Sequence, residues 1–115
     1  MPWRITVRSG PRVERIAADS LDDALDLAER HARALAADTS AQPIEMVVKT
    51  YAPADQVAHR VEVAGPRRFL ARVQGGVDVR GDGSLEAFTG RTQRVPVERE
   101  RGEDAFAALR RAVGP

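Results

Sequence analysis

The chain has 115 residues, 43% hydrophobic and 30% charged, the proportions of a folded domain rather than of a disordered tail. Eighteen basic against seventeen acidic side chains leave a net charge of +1, which singles out neither polyanions nor polycations as partners. The absence of cysteine excludes thiol nucleophiles, thiolate metal sites and a disulfide framework, and sets a reducing cytoplasm as the expected location.

Lys49 is the only lysine and asparagine is missing, a bias that reads as a GC-rich coding sequence. Met1-Pro2-Trp3-Arg4 leads into no apolar run resembling a secretory signal, and no stretch reaches transmembrane length, so a soluble, membrane-free chain is expected.

Trp3, Ile5 and Val7 alternate with Arg4, Thr6 and Arg8, the period of a half-buried strand. Ser9-Gly10-Pro11 reads as a turn. A two-residue Gly10-Pro11 loop sets Ile5 opposite Ile16 and Trp3 opposite Ala18, with a partner strand from about Arg12 to Ala17. Ser20 reads as an N-cap with Asp23 in the capping-box position, opening a helix to about Ala37. Leu21, Ala24, Leu25, Ala28, Ala32 and Leu35 form its apolar stripe. Asp26 with Arg30 and Glu29 with Arg33 are expected as four-apart ion pairs on the far side. The stretch from Asp38 to Pro43 reads as loop.

Two alternating runs follow, Ile44 to Lys49 and Val57 to Val63, each a strand. From Phe69 to Val79 a hairpin at Gly75-Gly76 would mix the faces. Reading straight through keeps Phe69, Ala71, Val73, Gly75, Val77 and Val79 on one parity, which predicts a long strand bent or bulged at the glycines. Arg80-Gly81-Asp82-Gly83-Ser84 is a hairpin turn leading to a return strand from Leu85 to Thr89. A second turn at Thr89-Gly90-Arg91 leads to a strand from about Thr92 to Glu98. A three-residue loop there pairs Leu85 with Val95 and Glu86 with Arg94, and Pro96 makes this last strand an edge. Glu103 and Asp104 open a short helix with the stripe Phe106, Leu109 and Val113, Arg110 and Arg111 in its last turn, and Gly114-Pro115 as its stop.

The order β-β-α-β-β-β-β-β-α predicts an α+β fold over residues 1–115: one domain, a mostly antiparallel sheet of about five to seven strands, and two helices on one face.

No constellation of residues defines an enzyme, a cofactor or a metal site. Arg80-Gly81-Asp82 resembles an adhesion tripeptide but lies in a turn, and the run from Asp78 to Gly83 lacks the carboxylates of a calcium loop. Gly81 and Gly83 precede no helix and so make no phosphate loop. His31 and His59 are too few for a three-histidine site; His31 is expected beside the helix stripe and His59 as a hydrogen-bonded, neutral histidine at the core edge. Ser9, Ser20, Ser40 and Ser84 lack a nucleophile elbow, and Asp19, Asp22, Asp23 and Asp26 belong to the helix start.

The opposite strand parity is more informative. Arg4, Thr6, Arg8, Lys49, Arg60, Arg72, Arg80 and Arg94 are interspersed there with Glu45, Glu62, Glu86 and Glu98, and with the apolar Val47, Tyr51, Leu70 and Phe88. Apolar groups rimmed by charge suit a protein interface. The expected contact face therefore comprises Arg4, Val47, Lys49, Tyr51, Arg60, Leu70, Arg72, Phe88 and Arg94. The expected function is a small non-enzymatic protein-interaction or assembly module that self-associates, as in a homodimer, through this face or the 92–98 edge. The alternative is RNA or single-stranded nucleic acid, with arginines on phosphates and Tyr51 and Phe88 stacking bases; interleaved glutamates and few aromatics count against it.

Overall fold

The computed structural model of the chain describes residues 3–40, 57–65, 74–90 and 94–113. In chain order these form β1 (Trp3–Ser9), β2 (Arg12–Ala18), α1 (Leu21–Ser40), β3 (Val57–Ala64), β4 (Gln74–Arg80), β5 (Leu85–Thr89), β6 (Val95–Pro96) and α2 (Ala105–Val113). The six strands make one antiparallel sheet in the order β2-β1-β3-β4-β5-β6. The fold is α+β. The strand expected from Ile44 to Lys49 and the Phe69–Val73 part of the long strand lie outside the described residues.

The first hairpin has the register that its sequence implies: Ile5 faces Ile16 and Trp3 faces Ala18. Alternation along β1, β3, β4 and β5 sends Ile5, Val7, Val61, Val63, Val77, Val79 and Ala87 to one side of the sheet. They join Ala24, Leu25, Ala28 and Ala32 of α1 and Ala105, Phe106, Leu109 and Val113 of α2 in one core. Both helices thus cover the same sheet face. The alanines along α1 let its backbone approach the sheet closely, while Phe106 and Leu109 supply bulk at the other end.

The capping chemistry follows the sequence. The Ser20 hydroxyl accepts a hydrogen bond from the Asp23 N–H at 3.1 Å, and the Asp104 carboxylate accepts one from the Ala107 N–H at 2.8 Å. In the tight turn after β4, the Asp82 carboxylate accepts from the Ser84 N–H at 2.9 Å and Gly83 takes φ +87°.

β4 runs through Gly75 and Gly76 with its pairing to β3 and β5 unbroken, so the bulge expected at the glycines is absent, the one irregularity of the β3–β4 ladder lying between Val57 and His59. Both glycines are buried. A Cβ on Gly75 would meet the Phe88 carbonyl at 2.7 Å, and one on Gly76 the Val61 carbonyl at 2.1 Å and the Phe88 ring at 2.9 Å. The pair is therefore a place where three central strands approach too closely for any side chain.

Several expectations are corrected. Ser9 belongs to β1, not to the turn. α1 continues to Ser40, because Asp38, Thr39 and Ser40 cost a helix only a few tenths of a kcal/mol each and no breaker precedes Pro43. Asp26 pairs across the helix interface with Arg110 rather than with Arg30, a contact that needs the tertiary fold. The last strand is shorter than predicted and shifted: Thr89 faces Val95 and Phe88 faces Pro96. β5 stays on its ladder to β4 through Thr89, and the Gly90 N–H bonds the Gln74 carbonyl at 3.2 Å, so Thr89 and Gly90 are held by β4 rather than free to form the expected turn. Glu98 consequently lies beyond the strand.

Candidate interaction surface

The sheet face turned away from the helices is built from Arg4, Thr6 and Arg8 of β1, Val13 and Arg15 of β2, Arg60 and Glu62 of β3, Asp78 and Arg80 of β4, and Glu86 and Phe88 of β5, as the strand registers require. Its middle is an ion-pair lattice. Arg60 grips Asp78 through both carboxylate oxygens at 2.5 and 3.0 Å. Glu62 takes Arg8 at 2.8 Å on one side and Arg94 at 3.5 Å on the other, and Arg80 bonds Glu86.

Phe88 is the hub of this lattice. Its ring lies across the bare backbone of Gly76, its cross-strand partner, and the Arg60 and Arg94 guanidinium carbons stand 5.4 and 5.6 Å from the ring centroid. Only 4% of the residue is exposed. A ring under two cations gains about 0.5–2 kcal/mol from its quadrupole, in addition to the apolar area removed from water. Asp78, at 7% exposure, is the only buried charged or polar residue among those described. The Asp78 carboxylate beside it pushes the Arg60 pKa up, against the opposing effect of partial burial.

Of the residues expected to form the contact face, Arg4, Arg60, Phe88 and Arg94 are described, and all four lie on this side of the sheet or at its rim. Arg4 is exposed, whereas Phe88 is covered. Val47, Lys49, Tyr51, Leu70 and Arg72 lie outside the described residues. Sequence reasoning missed Asp78, which was read as part of the long strand and of a rejected calcium loop but not as a member of the face; its position opposite Arg60 depends on the β3–β4 register.

Charge is uneven across the face. Arg4, Arg8 and Arg15 surround Thr6, the first two along β1 and the third directly opposite on β2, and neither Arg4 nor Arg15 has an ion-pair partner among the described residues. The lattice beyond them is balanced.

The edges differ as well. β6 is two residues long and carries Pro96, which has no N–H to offer a further strand. β2 is seven residues long, with Arg12, Val13, Glu14 and Arg15 all exposed and Val13 40% so. Among the described residues no strand lies on its outer side.

Two further polar clusters lie away from this face. Ser9 Oγ lies 2.7 Å from His59 Nδ1, a cross-strand pair at the end of the core, and burial lowers the His59 pKa despite the opposing field of Asp38. His59 is thus the hydrogen-bonded histidine expected at the core edge, with Ser9 as a partner that the sequence alone did not provide. Asp19, Asp23 and Asp26 line an open depression beside Ala17, Leu27 and Arg30 at the start of α1. No group of three or more His, Asp or Glu among the described residues is placed to hold a metal ion, and no described helix is long and apolar enough to cross a membrane. No protein-family model, curated protein or solved structure matches the chain.

Proposed function

We propose that this chain is a small non-enzymatic assembly module of the cytoplasm, and that it self-associates through its sheet. The observation that carries this reading is the long, open edge of β2 beside a charged sheet face. Seven residues of strand backbone with exposed Val13 offer a ready template for another strand, and the neighbouring charges give such a contact direction. The edge at residues 92–98 is the weaker surface for the same role, because its paired part is short and contains Pro96. The cysteine-free composition supports the cytoplasmic placement.

The test is molar mass by light scattering over a dilution series. A mass that rises toward two chains at tens of micromolar supports self-association, since subunit assembly is concentration-dependent. A mass of one chain across the whole range overturns it.

The three arginines around Thr6 favour a second reading, in which that flank binds the phosphates of a single-stranded nucleic acid. Phe88, lying beneath Arg60 and Arg94, is not free to stack a base, so this binding rests on charge alone and falls steeply with salt. A labelled random oligonucleotide that fails to shift at low salt removes it.

A further inference from the structure

We infer that the partner strand on the β2 edge is β2 of a second copy, paired antiparallel about a two-fold axis through Val13, so that Arg12 of each copy faces Glu14 of the other. This inference rests on the self-association reading and adds to it the surface, the symmetry and the register.

A two-fold axis perpendicular to a sheet leaves each face where it was, so residues paired across it must share a face. Within β2 that permits only registers centred on a residue. The sequence Arg12-Val13-Glu14-Arg15-Ile16-Ala17-Ala18 then decides among them. Centring on Glu14 sets that carboxylate against its own copy, and centring on Arg15 does the same with two guanidiniums; like charges directly opposite are destabilising. Centring on Ile16 sets Glu14, and centring on Ala17 sets Ile16, against Ala18, which is already buried. Centring on Val13 makes two Arg12–Glu14 pairs and stacks Val13 on Val13. That covers one of the three large apolar side chains exposed among the described residues, the others being Val57 and Val95.

The same register explains an otherwise awkward surface. Natural sheet edges are normally blunted by proline, a bulge or an inward charge. β2 has no proline or bulge within its seven residues, its Cα pairing with β1 being continuous from Arg12 to Ala18. The Arg12 and Glu14 charges on its helix-side face, which would blunt a lone edge, neutralise one another across the axis in this register. Pro11, just before it, ends the intermolecular ladder opposite Arg15 and keeps the contact to about five residue pairs. The dimer contact is accordingly small, with the two sheets continuing into one of twelve described strands.

The absence of native cysteine makes a clean test available. Val13→Cys, Ile16→Cys and Val95→Cys are each oxidised gently at a concentration where scattering gives a dimer. Directly opposed residues in an antiparallel pair lie within disulfide reach, so Val13→Cys cross-links quantitatively while the other two stay uncross-linked. Cross-linking at Ile16 or Val95 in place of Val13 overturns the register while leaving self-association standing. In parallel, Arg12→Glu and Glu14→Arg are each expected to weaken self-association about tenfold or more, because each places like charges opposite one another. Mixed one to one, the two variants recover a heterodimer, since each then supplies the charge that the other lacks. Failure of the mixture to associate, with both variants folded by circular dichroism, also overturns the pairing. A wild-type chain that stays monomeric removes the self-association reading itself.

Discussion

Replacing Gly76 by alanine tests the packing of the central sheet most directly. The new methyl group would stand 2.1 Å from the Val61 carbonyl oxygen, about 1.3 Å short of ordinary contact, and 2.9 Å from the Phe88 ring. A side-chain tip can swing away, but a carbonyl in the middle of the β3–β4 ladder cannot. Opening that ladder by more than 1 Å takes its nearest hydrogen bonds beyond bonding distance, at about 1 kcal/mol each, and lifts Phe88 off its seat. Against this, alanine restricts the unfolded chain and returns about 0.4–1 kcal/mol. The clash wins, for a net loss of about 3 kcal/mol, in the upper part of the range for overpacking. For a chain of this length that lowers the thermal midpoint by roughly 10–15 °C in a melt followed by circular dichroism. Adding Phe88→Ala does not rescue the variant, because the carbonyl remains. Gly10→Ala is the comparison: its φ is +60° with nothing within 4 Å, so the cost is only the left-handed backbone, about 1–2 kcal/mol. A Gly76→Ala melt within about 3 °C of wild type would refute the close-approach argument.

Arg60→Leu is expected to cost about 3 kcal/mol in urea denaturation, because it leaves Asp78 charged and nearly buried, whereas the double variant Arg60→Leu/Asp78→Leu recovers most of that loss. Simple addition of the two single effects would show that the pair is not coupled. For His59, burial holds the folded-state pKa below the ordinary value near 6.5, so the unfolded chain takes up its proton first as pH falls. Its contribution is therefore fully present above about pH 6.5 and declines as pH drops from there toward the folded value. Proton-detected titration of the ring should place its midpoint below that of a model histidine, and a midpoint at or above 6.5 contradicts this. Ser20→Ala removes the cap that accepts the Asp23 N–H and should cost about 1 kcal/mol, with Ser20→Asp close to wild type. Equal stability of Ser20→Ala and wild type would mean that the cap contributes nothing to α1.

Much of the fold was legible because its signals are local. The hairpin register from Ile5–Ile16 follows from a two-residue loop and a matching apolar parity, and the start of α1 follows from Ser20 and Asp23. The straight passage through Gly75-Gly76 followed from parity against a tempting turn signal. The position of β6 was not legible: how long β5 stays on its ladder depends on the Gly90–Gln74 bond, between residues brought together only by the sheet. The partner of Asp26 was equally hidden, since Arg30 and Arg110 are both arginines within reach of a helix surface and only the packing of α2 on α1 chooses between them.

The candidate surface divides in the same way. Sequence parity put Arg4, Arg60, Phe88 and Arg94 together on the second face, because alternation is a property of each strand alone. What each does there was decided by the tertiary structure. The bare backbone of Gly76 leaves room for the Phe88 ring only because β4 lies beside β5. Arg60 and Asp78 form a partly buried pair only because β3 lies on the other side of β4, and Arg94 reaches the same ring from beyond β5. A chain's own periodicity determines which face a side chain takes; strand order, a long-range outcome of packing, determines whether that face leaves it exposed, paired or covered.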